Sequence, residues 1–492
     1  MDVTILVLQL VIMLLCIWIG SRQGGIALGF WGGVGLLVIT FGFRQAPAEP
    51  PVDVMLIILA VTCATAAMQA AGGIAFLVRL AEGIIRHYPR RITIIAPLVS
   101  YLFTFAAGTG HILYPLLPVI HDTALRNGIR PERPMSVAVI ASFQGITASP
   151  VSAAMAALIV VVEPMGMSLP QIMLIAVPAT LLGVLAASLV MLNWGKELED
   201  DPVFQERVAS GEVEDIPAYV RAQRMAKRRN ISVDEALVEV LGSEPSPEER
   251  ESLVALAEHR PEEGGQLEED ALAEDNGARA GSPRIAAAIF LVAVLTVVVL
   301  GAVPGWRPPN ADGEPLNIAI VIQIVMLGAA ALIATVTRVD VKHIATSSIA
   351  RTGLVAIVGI FGLAWLGLTV IEANQEIIVD GLSTMVSNQP WTFAIALFAA
   401  SVVLFSQAST TRTLMPLGAT LGLAAPQLVA MWPAVNGSFF LPTYGTVVAA
   451  LNFDRTNTTK IGNLVLNHSF MVPGLVAVAA AVAAGLLLAS FF

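Results

Sequence analysis

Long apolar runs alternate with short polar breaks from one end of the chain to the other. In the first half, apolar runs occupy 3–20, 25–43, 53–72, 134–162 and 169–193. In the second half, they occupy 285–303, 316–337, 352–371, 428–451 and 464–490. Because about 17–25 apolar residues cross a bilayer as a helix, the pattern predicts an all-α polytopic membrane protein.

Two further apolar segments, 92–121 and 391–424, are too short for two spans and carry a polar break halfway. Two full spans need about 40 residues. Each segment is therefore predicted to be a re-entrant hairpin that turns inside the membrane. Non-helical backbone at that depth is tolerated where it lines a cavity or is buried in protein.

The two halves, 1–194 and 285–492, share one order of elements. Each half carries a proline, a threonine and a second proline separated by 20 and 6 positions, namely Pro89, Thr109 and Pro115, then Pro390, Thr410 and Pro416. The span after each hairpin contains a helix breaker, Pro150 in 134–162 and Pro442 in 428–451. We expect two repeats, each with a hairpin and a broken helix.

The charges divide the chain differently from the apolar runs. The full sequence has a net charge of −10, with 56% apolar and 13% charged residues. Residues 195–284 hold 11 Lys and Arg against 23 Asp and Glu, a net charge of −12, which leaves +2 for the remainder. This composition excludes a soluble globular protein, a disordered chain and a nucleic-acid-binding protein. The acidity belongs to one central insert.

Basic residues near span ends predict the orientation in the membrane. The loops at 86–91, 121–134 and 337–351 are rich in arginine or lysine and are expected to be cytoplasmic, whereas 372–390 carries only acidic charges and is expected to be external. Both termini are then periplasmic, the 195–284 insert is cytoplasmic, and the two hairpins enter from opposite sides. These are the inverted repeats of a secondary transporter, with a site where the broken segments meet.

Four polar clusters interrupt the apolar sequence at 108–111, 145–152, 406–412 and 441–446. Each combines small residues, hydroxyls and a helix breaker, and a helix that begins inside the membrane offers free N–H groups to a carboxylate. Small and hydroxyl residues also serve simple helix packing. The candidate substrate-binding residues are Gly108, Thr109, Gly110, His111, Thr147, Ser149, Ser409, Thr410, Thr411, Arg412 and Thr443.

Arg412 is the most informative single residue. It is the one Lys, Arg, Asp, Glu or His in 391–451. A charge within a membrane segment is costly and usually functional, and a guanidinium can hold a carboxylate through two hydrogen bonds. The alternative is that it extends to the interface or pairs with a distant acid. His111 is its counterpart in the first half, and Gln144, Gln407 and Asn436 are weaker candidates.

Motifs for other chemistries are missing from the sequence. It contains no phosphate-binding loop and no nucleophile elbow, and Cys16 and Cys63 give no metal-ligand spacing. We therefore expect neither an enzyme nor a cofactor or metal. An ion gradient or solute exchange would supply the driving force.

The motifs at the breaks resemble those of the anaerobic four-carbon dicarboxylate transporter (Dcu) family. The matching stretches are AMQAAGG (67–73), FAAGTGHILYPLLPVI (105–120), ITASPVSAA (146–154), SQASTTRTLMP (406–416), LPTYGTVVAA (441–450) and TTKIGNLVLNHSFMVPG (458–474). The resemblance implies exchange, uptake or efflux of aspartate, fumarate, malate and succinate in the bacterial inner membrane. It also implies membership of the ion transporter superfamily, a homodimer and elevator-like motion of a transport domain.

The family motifs place Thr109, Thr147, Ser149, Thr410 and Thr443 at the site. Two positions depart from the pattern that the resemblance leads us to expect. Arg412 stands where lysine is more usual, and His111 stands where asparagine is often found. The insert is also longer than the family's usual central loop.

The insert has its own pattern. Residues 231–242 and 246–259 are predicted to form amphipathic helices with Ser232 and Ser246 as N-caps. Residues 221–230 are basic, and 266–283 are acidic and expected to be disordered. We favour a solvated linker over a regulatory or partner-binding role.

The leading hypothesis is a secondary transporter that exchanges four-carbon dicarboxylates. Its expected partners are small dicarboxylates, membrane lipid and a second copy of the chain. The alternatives are a cation-coupled symporter of other carboxylates, a membrane carboxylate sensor and an anion channel.

Overall fold

A computed structural model describes residues 3–23, 26–258, 282–311, 313–374, 377, 389–404, 406–442, 444–462 and 467–492. These residues are predominantly helical and include two isolated β-bridges but no strand. Eight helices in the described part are long and apolar enough to cross a membrane, and three shorter ones are apolar. The prediction of an all-α polytopic membrane protein is confirmed.

The helices follow the apolar runs of the sequence. The first half forms α1 (Val3–Gln23), α2 (Ala27–Leu37), α3 (Val52–Ala70), α4 (Gly73–His87), α5 (Ile92–Ala107), α6 (Leu116–Arg126), α7 (Glu132–Ala148), α8 (Ala153–Val162) and α9 (Leu169–Met191). The insert forms α10 (Pro202–Ala209), α11 (Ala218–Arg229), α12 (Val233–Leu241) and α13 (Pro247–Glu258).

The second half begins with α14 (Ser282–Ala302), α15 (Ile318–Thr337), α16 (Val341–Thr346), α17 (Ser348–Gly359) and α18 (Trp365–Ala373). It continues with α19 (Thr392–Leu404), α20 (Gln407–Thr420), α21 (Ala425–Met431), α22 (Gly445–Phe453) and α23 (Met471–Ala489). Most of the acidic loop predicted at 372–390 lies outside the described residues.

The two segments predicted to be hairpins differ in their second arms. After α5, the chain turns at Gly108, makes a short 3-10 helix from Gly110 to Leu113, and only then enters α6. After α19, by contrast, α20 begins at Gln407, with the Ser406 hydroxyl accepting a hydrogen bond from the backbone N–H of Ser409 at 3.2 Å. Pro115 therefore precedes a helix, whereas Pro416 lies inside one.

The two segments predicted to be broken helices also differ. α7 ends at Ala148 and α8 begins after Ser152, whose hydroxyl accepts from the backbone N–H of Met155, so Pro150 lies in the gap. The second segment leaves the α-helical path earlier than expected. It continues from α21 as a 3-10 helix, which begins beside Pro433, a residue without a backbone N–H, and bends at Asn436. The predicted breaker Pro442 lies in the non-helical residues that follow.

Close backbone contacts join helices that are far apart in sequence. α2 packs against a π-helical turn at Ile360–Ala364 between α17 and α18. A β-carbon on Gly29, Gly32 or Gly362 would overlap the opposite backbone. One group of neighbouring helices contains α1, α2, α3, α15, α17 and α18, and another contains α5, α7, α9, α19, α21 and α23.

The first part of the insert is packed against the helical body. Leu198 and Phe204 are fully buried beside Leu125 at the end of α6. Arg130 is only 5% exposed, and its guanidinium contacts Glu132 at 2.6 Å and Asp201 at 2.5 Å. The expectation of a solvated linker is therefore wrong for this part, because the helical body buries its apolar side chains and pairs with its carboxylates.

The predicted N-caps of the insert are confirmed. Ser232 and Ser246 each accept a hydrogen bond from the backbone N–H three residues later, at 3.1 and 3.2 Å. The carboxylates of Glu235 and Glu249 in turn accept hydrogen bonds from the backbone N–H groups of Ser232 and Ser246. This completes a capping box at each helix. Residues 259–281, which hold most of the predicted disordered stretch, lie outside the described residues.

A buried acid–base pair joins α6 to the chain after α22, outside the spanning helices. His121 Nε2 lies 3.5 Å from Asp454 Oδ1, and Asp454 also accepts hydrogen bonds from Thr456, Thr458 and Thr459. Burial favours the neutral acid, but the hydrogen bonds lower the pKa of Asp454 to about 2. Burial also opposes protonation of His121, yet Asp122 and Asp454 raise its pKa to about 9.

This pair makes folding stability depend on pH. The folded pKa of His121 is above its unfolded value, so its stabilisation is complete below about pH 6.5 and is lost as pH rises through about 9. We expect the melting temperature of the purified protein to fall across this range. In His121→Gln the fall should be smaller, while the exposed control His87→Gln should behave as the wild type. An identical slope in His121→Gln and wild type would contradict this.

Candidate functional site

A cluster of side-chain amides connects the two halves within the apolar body. The Oδ1 atom of Asn436 accepts hydrogen bonds from Thr147 Oγ1 at 2.8 Å and from Gln407 Nε2. Its Nδ2 atom donates to Gln144 Oε1 at 3.2 Å. We call these four residues the central amide network. It ties α7 of the first half to the bend and to α20 of the second.

The central amide network is buried and not fully satisfied. Gln144 and Thr147 have no exposed surface, and Asn436 is 1% exposed. Within the described part of the chain, Gln144 Nε2 has no hydrogen-bond partner, while Gln407 Nε2 also donates to the Phe143 carbonyl at 3.0 Å. A buried donor without a partner is costly. The network therefore places an unused N–H donor, Gln144 Nε2, between the two halves. An anionic ligand needs donors of this kind.

The turn after α5 packs directly on the gap between α7 and α8. Gly108 has φ +68°, and a β-carbon there would lie 3.0 Å from the carbonyl oxygen of Val151. The Thr109 hydroxyl accepts from the His111 backbone N–H at 3.4 Å. The His111 ring stacks on Tyr114 with centroids 5.9 Å apart. Only glycine fits this turn without strain.

A small cavity of about 120 Å³, here the tip cavity, lies between this turn and the neighbouring helices. On one side are Gly108, Thr109 and His111, with Val151 and Ala153 at the start of α8. On the other side are α3, with Thr62 and Thr65, and α17, with Thr352. The hydroxyls of Thr65 and Thr352 donate to carbonyls of their own helices at 2.9 and 3.0 Å, so Thr62 and Thr109 supply the hydroxyl donors. The cavity thus combines hydroxyls, an imidazole and the positive end of a helix, which together suit a carboxylate.

The predicted residues on α20 lie outside the tip cavity. The hydroxyls of Thr410 and Thr411 donate to backbone carbonyls at 2.8 and 2.7 Å, and Thr411 also accepts from Trp432 Nε1 at 2.9 Å. Their protons are therefore already committed. Ser409 is 3% exposed and lies in the first turn of the helix.

Arg412 is half-buried, and its Nε atom has no hydrogen-bond partner among the residues that the structure describes. No described carboxylate makes a salt bridge with it, although the charges of Asp53 and Glu372 act on it. These acids lie in the first turn of α3 and the last turn of α18. Both acids are far from Arg412 in the sequence, so the sequence alone does not associate them with it.

The structure therefore divides the predicted residues that it describes among four places. Gly108, Thr109 and His111 line the tip cavity with Gly110 in the adjoining turn, Thr147 belongs to the central amide network, and Ser149 lies in the gap. Ser409, Thr410, Thr411 and Arg412 lie on α20, and Thr443 is outside the described residues. Sequence reasoning missed Thr62, Thr65 and Thr352, because single threonines in apolar helices are also ordinary packing residues.

The described part of the chain contains no group of three or more His, Cys, Asp or Glu placed to hold a metal ion.

A polytopic bundle with interrupted helices around buried polar groups defines the class of membrane transporters. The chain belongs to the family described as anaerobic C4-dicarboxylate membrane transporters, whose profile matches residues 5–492. The resemblance seen in the sequence motifs is thereby confirmed.

Individual relatives match the chain along its full length. The anaerobic C4-dicarboxylate transporter DcuB of Escherichia coli O157:H7 is 36% identical over 490 residues, covering 99% of this chain and 98% of its own. The C4-dicarboxylate transporter DcuA of Escherichia coli K12 is 36% identical over 487 residues, covering 99% of each chain. DcuA of Wolinella succinogenes is 35% identical over 484 residues, covering 98% and 99%. These relatives are transporters and not enzymes.

The central amide network can be tested with two matched substitutions. Thr147 and Thr335 both donate to the carbonyl four residues earlier, but only Thr147 also reaches Asn436. We expect Thr147→Val to lower stability by about 0.6–2 kcal/mol, the range for interhelical hydrogen bonds in membranes. Thr335→Val should change it little. Equal melting temperatures for the two variants would remove the network as a link between the halves.

The turn at Gly108 can be tested in the same way. Gly108 and Gly166 both have positive φ, but a β-carbon on Gly166 would meet no atom within 4 Å. Gly166→Ala should cost about 1 kcal/mol from backbone strain alone. Gly108→Ala should lower the melting temperature further, because the methyl group also meets Val151. If the two variants have the same melting temperature, the turn does not pack on the gap as described.

Proposed function

We propose that this protein exchanges four-carbon dicarboxylates, such as aspartate, fumarate, malate and succinate, across the bacterial inner membrane. The observation that carries the proposal is the tip cavity, a small chamber in which hydroxyls, His111 and the start of α8 converge. The names of the relatives DcuA and DcuB support the same substrate class.

The substrate is proposed to bind at the interrupted segments of both halves. One carboxylate would lie in the tip cavity, where the backbone N–H groups at the start of α8 and the Thr109 hydroxyl are available. Gly108, Gly110 and His111 shape this end, and Thr147 and Ser149 lie behind it. Ser409 and Thr443 would complete the site from the second half, while Thr410 and Thr411, whose hydroxyls donate to carbonyls of α20, would form its wall.

Arg412 is proposed to hold the second carboxylate. Its unpartnered Nε supports this role, because a guanidinium with a free donor can form a bidentate pair with an entering carboxylate. Asp53 and Glu372 act on Arg412 without forming a salt bridge. In the empty site, these two acids would partly balance the positive charge of Arg412. When a substrate dianion binds, its carboxylate would balance that charge instead.

The motion is proposed to be elevator-like. The tip cavity lies between α3 and α17 on one side and the turn after α5 on the other, so sliding one helix group past the other would carry the substrate along. We infer inverted repeats and a homodimer from the sequence repeat and the family. The termini are proposed to be periplasmic and the insert cytoplasmic, in agreement with the arginine distribution.

Arg412→Ala is expected to reduce exchange of labelled fumarate in proteoliposomes by at least about 100-fold, because one carboxylate loses its bidentate partner. Arg412→Lys should retain partial exchange, since it keeps the charge but loses the fork geometry. The control Arg250→Ala removes an exposed arginine of the insert and should exchange as the wild type.

Counterflow distinguishes exchange from other functions. Labelled fumarate should enter vesicles preloaded with succinate without a sodium or proton gradient. Binding without movement would instead identify a sensor, and strict dependence on a cation gradient would identify a symporter. Normal exchange by folded Arg412→Ala would remove this residue from the site.

A further inference from the structure

A large cavity of about 990 Å³ lies between α11 of the insert and the ends of α4 and α6 in the helical body. We call it the basic cavity after its charged lining residues, Arg86, Arg90, Arg126, Arg224, Lys227 and Arg228. The first three come from the ends of α4 and α6 and the turn after α4, and the others come from α11. None of its lining residues is among those assigned to the substrate.

The positive charge of the basic cavity is only partly compensated. Arg224 and Arg228 pair with Glu197, Glu199 and Asp200 of the insert.

In contrast, Arg90, Arg126 and Lys227 make no salt bridge with any carboxylate in the described part of the chain. The lining contains one carboxylate, Asp122, which is hydrogen-bonded to His121 at 3.0 Å. A surplus of positive charge therefore faces this space in a chain whose net charge is −10.

The size and chemistry of the basic cavity indicate the kind of ligand. Its volume of about 990 Å³ far exceeds the 120 Å³ of the tip cavity and lies at the upper end of the range for small-molecule sites. Several guanidinium groups and an ammonium converging on one space suit the multiple oxygens of phosphate groups. The Tyr219 side chain adds a ring at the edge of the cavity.

We propose that the basic cavity binds a phosphate-bearing anion that bridges the insert to the helical body. Its position at the ends of membrane helices admits two sources of the same chemistry, a soluble nucleotide or the headgroup of an anionic phospholipid. Because α6 leads directly back to the turn at Gly108, a ligand held between α6 and α11 would tie the insert to the part of the protein that lines the tip cavity.

The proposal can be tested on the full-length protein by binding alone. ATP binding is measured by calorimetry in lipid-depleted detergent, and retention of cardiolipin against phosphatidylcholine is measured by native mass spectrometry. The test variant is Arg90→Gln/Lys227→Gln, which removes two unpaired charges. The control is Arg91→Gln/Arg229→Gln, which removes the same charge from nearby positions that do not line the cavity; of these, Arg229 is exposed and paired with Glu239.

We expect ATP or cardiolipin to bind the wild type and the control equally, and the test variant about tenfold more weakly. Hydrogen exchange in α6 and α11 should slow on binding in the wild type and in the control, and less in the test variant at the same probe concentration. Binding of ATP alone identifies a soluble ligand, and binding of cardiolipin alone identifies a lipid.

Three results would overturn the proposal. These are no binding of either probe, equal weakening in both double variants, and displacement of the bound probe by succinate at equal concentration. Transport is not measured, so this outcome is independent of whether the protein exchanges dicarboxylates.

Discussion

Backbone that leaves the helical path inside a membrane must find its hydrogen bonds within the protein, and this constraint organises the whole molecule. The gap between α7 and α8 is capped by Ser152 and covered by the turn at Gly108. The bend at Asn436 is covered by α7 and α20 through the central amide network. Each interruption is thus enclosed by elements from elsewhere in the chain, and the polar groups they expose become the candidate site.

The order of elements was predictable from the sequence because the signals are local. Apolar runs of spanning length predicted the long helices, and a serine at the start of an amphipathic stretch predicted the caps at Ser232 and Ser246. Pro150 predicted where a span would stop. These signals act over a few residues, so one sequence is sufficient to find them.

Pairings across the chain were not predictable in the same way. The residues next to Arg412 in sequence do not predict that the charges of Asp53 and Glu372 act on it. Those next to Arg130 do not predict its salt bridge with Asp201. The insert was misjudged for this reason. Its charge pattern describes a solvated segment, whereas burial of Phe204 depends on an apolar surface that α6 supplies. Thr62 and Thr352 gained meaning only when α3 and α17 met at the tip cavity.

The glycine contact between α2 and the π-helical turn before α18 has a consequence for how the protein is made. Gly29 and Gly362 touch backbone to backbone, but the second is synthesised far later than the first. At roughly 5–20 residues per second, the first helices wait on the order of 15–65 seconds in the bilayer before their partner emerges. During that interval their small-residue face is available to other helices, so the N-terminal helices are the part of the chain most exposed to mispairing and quality control.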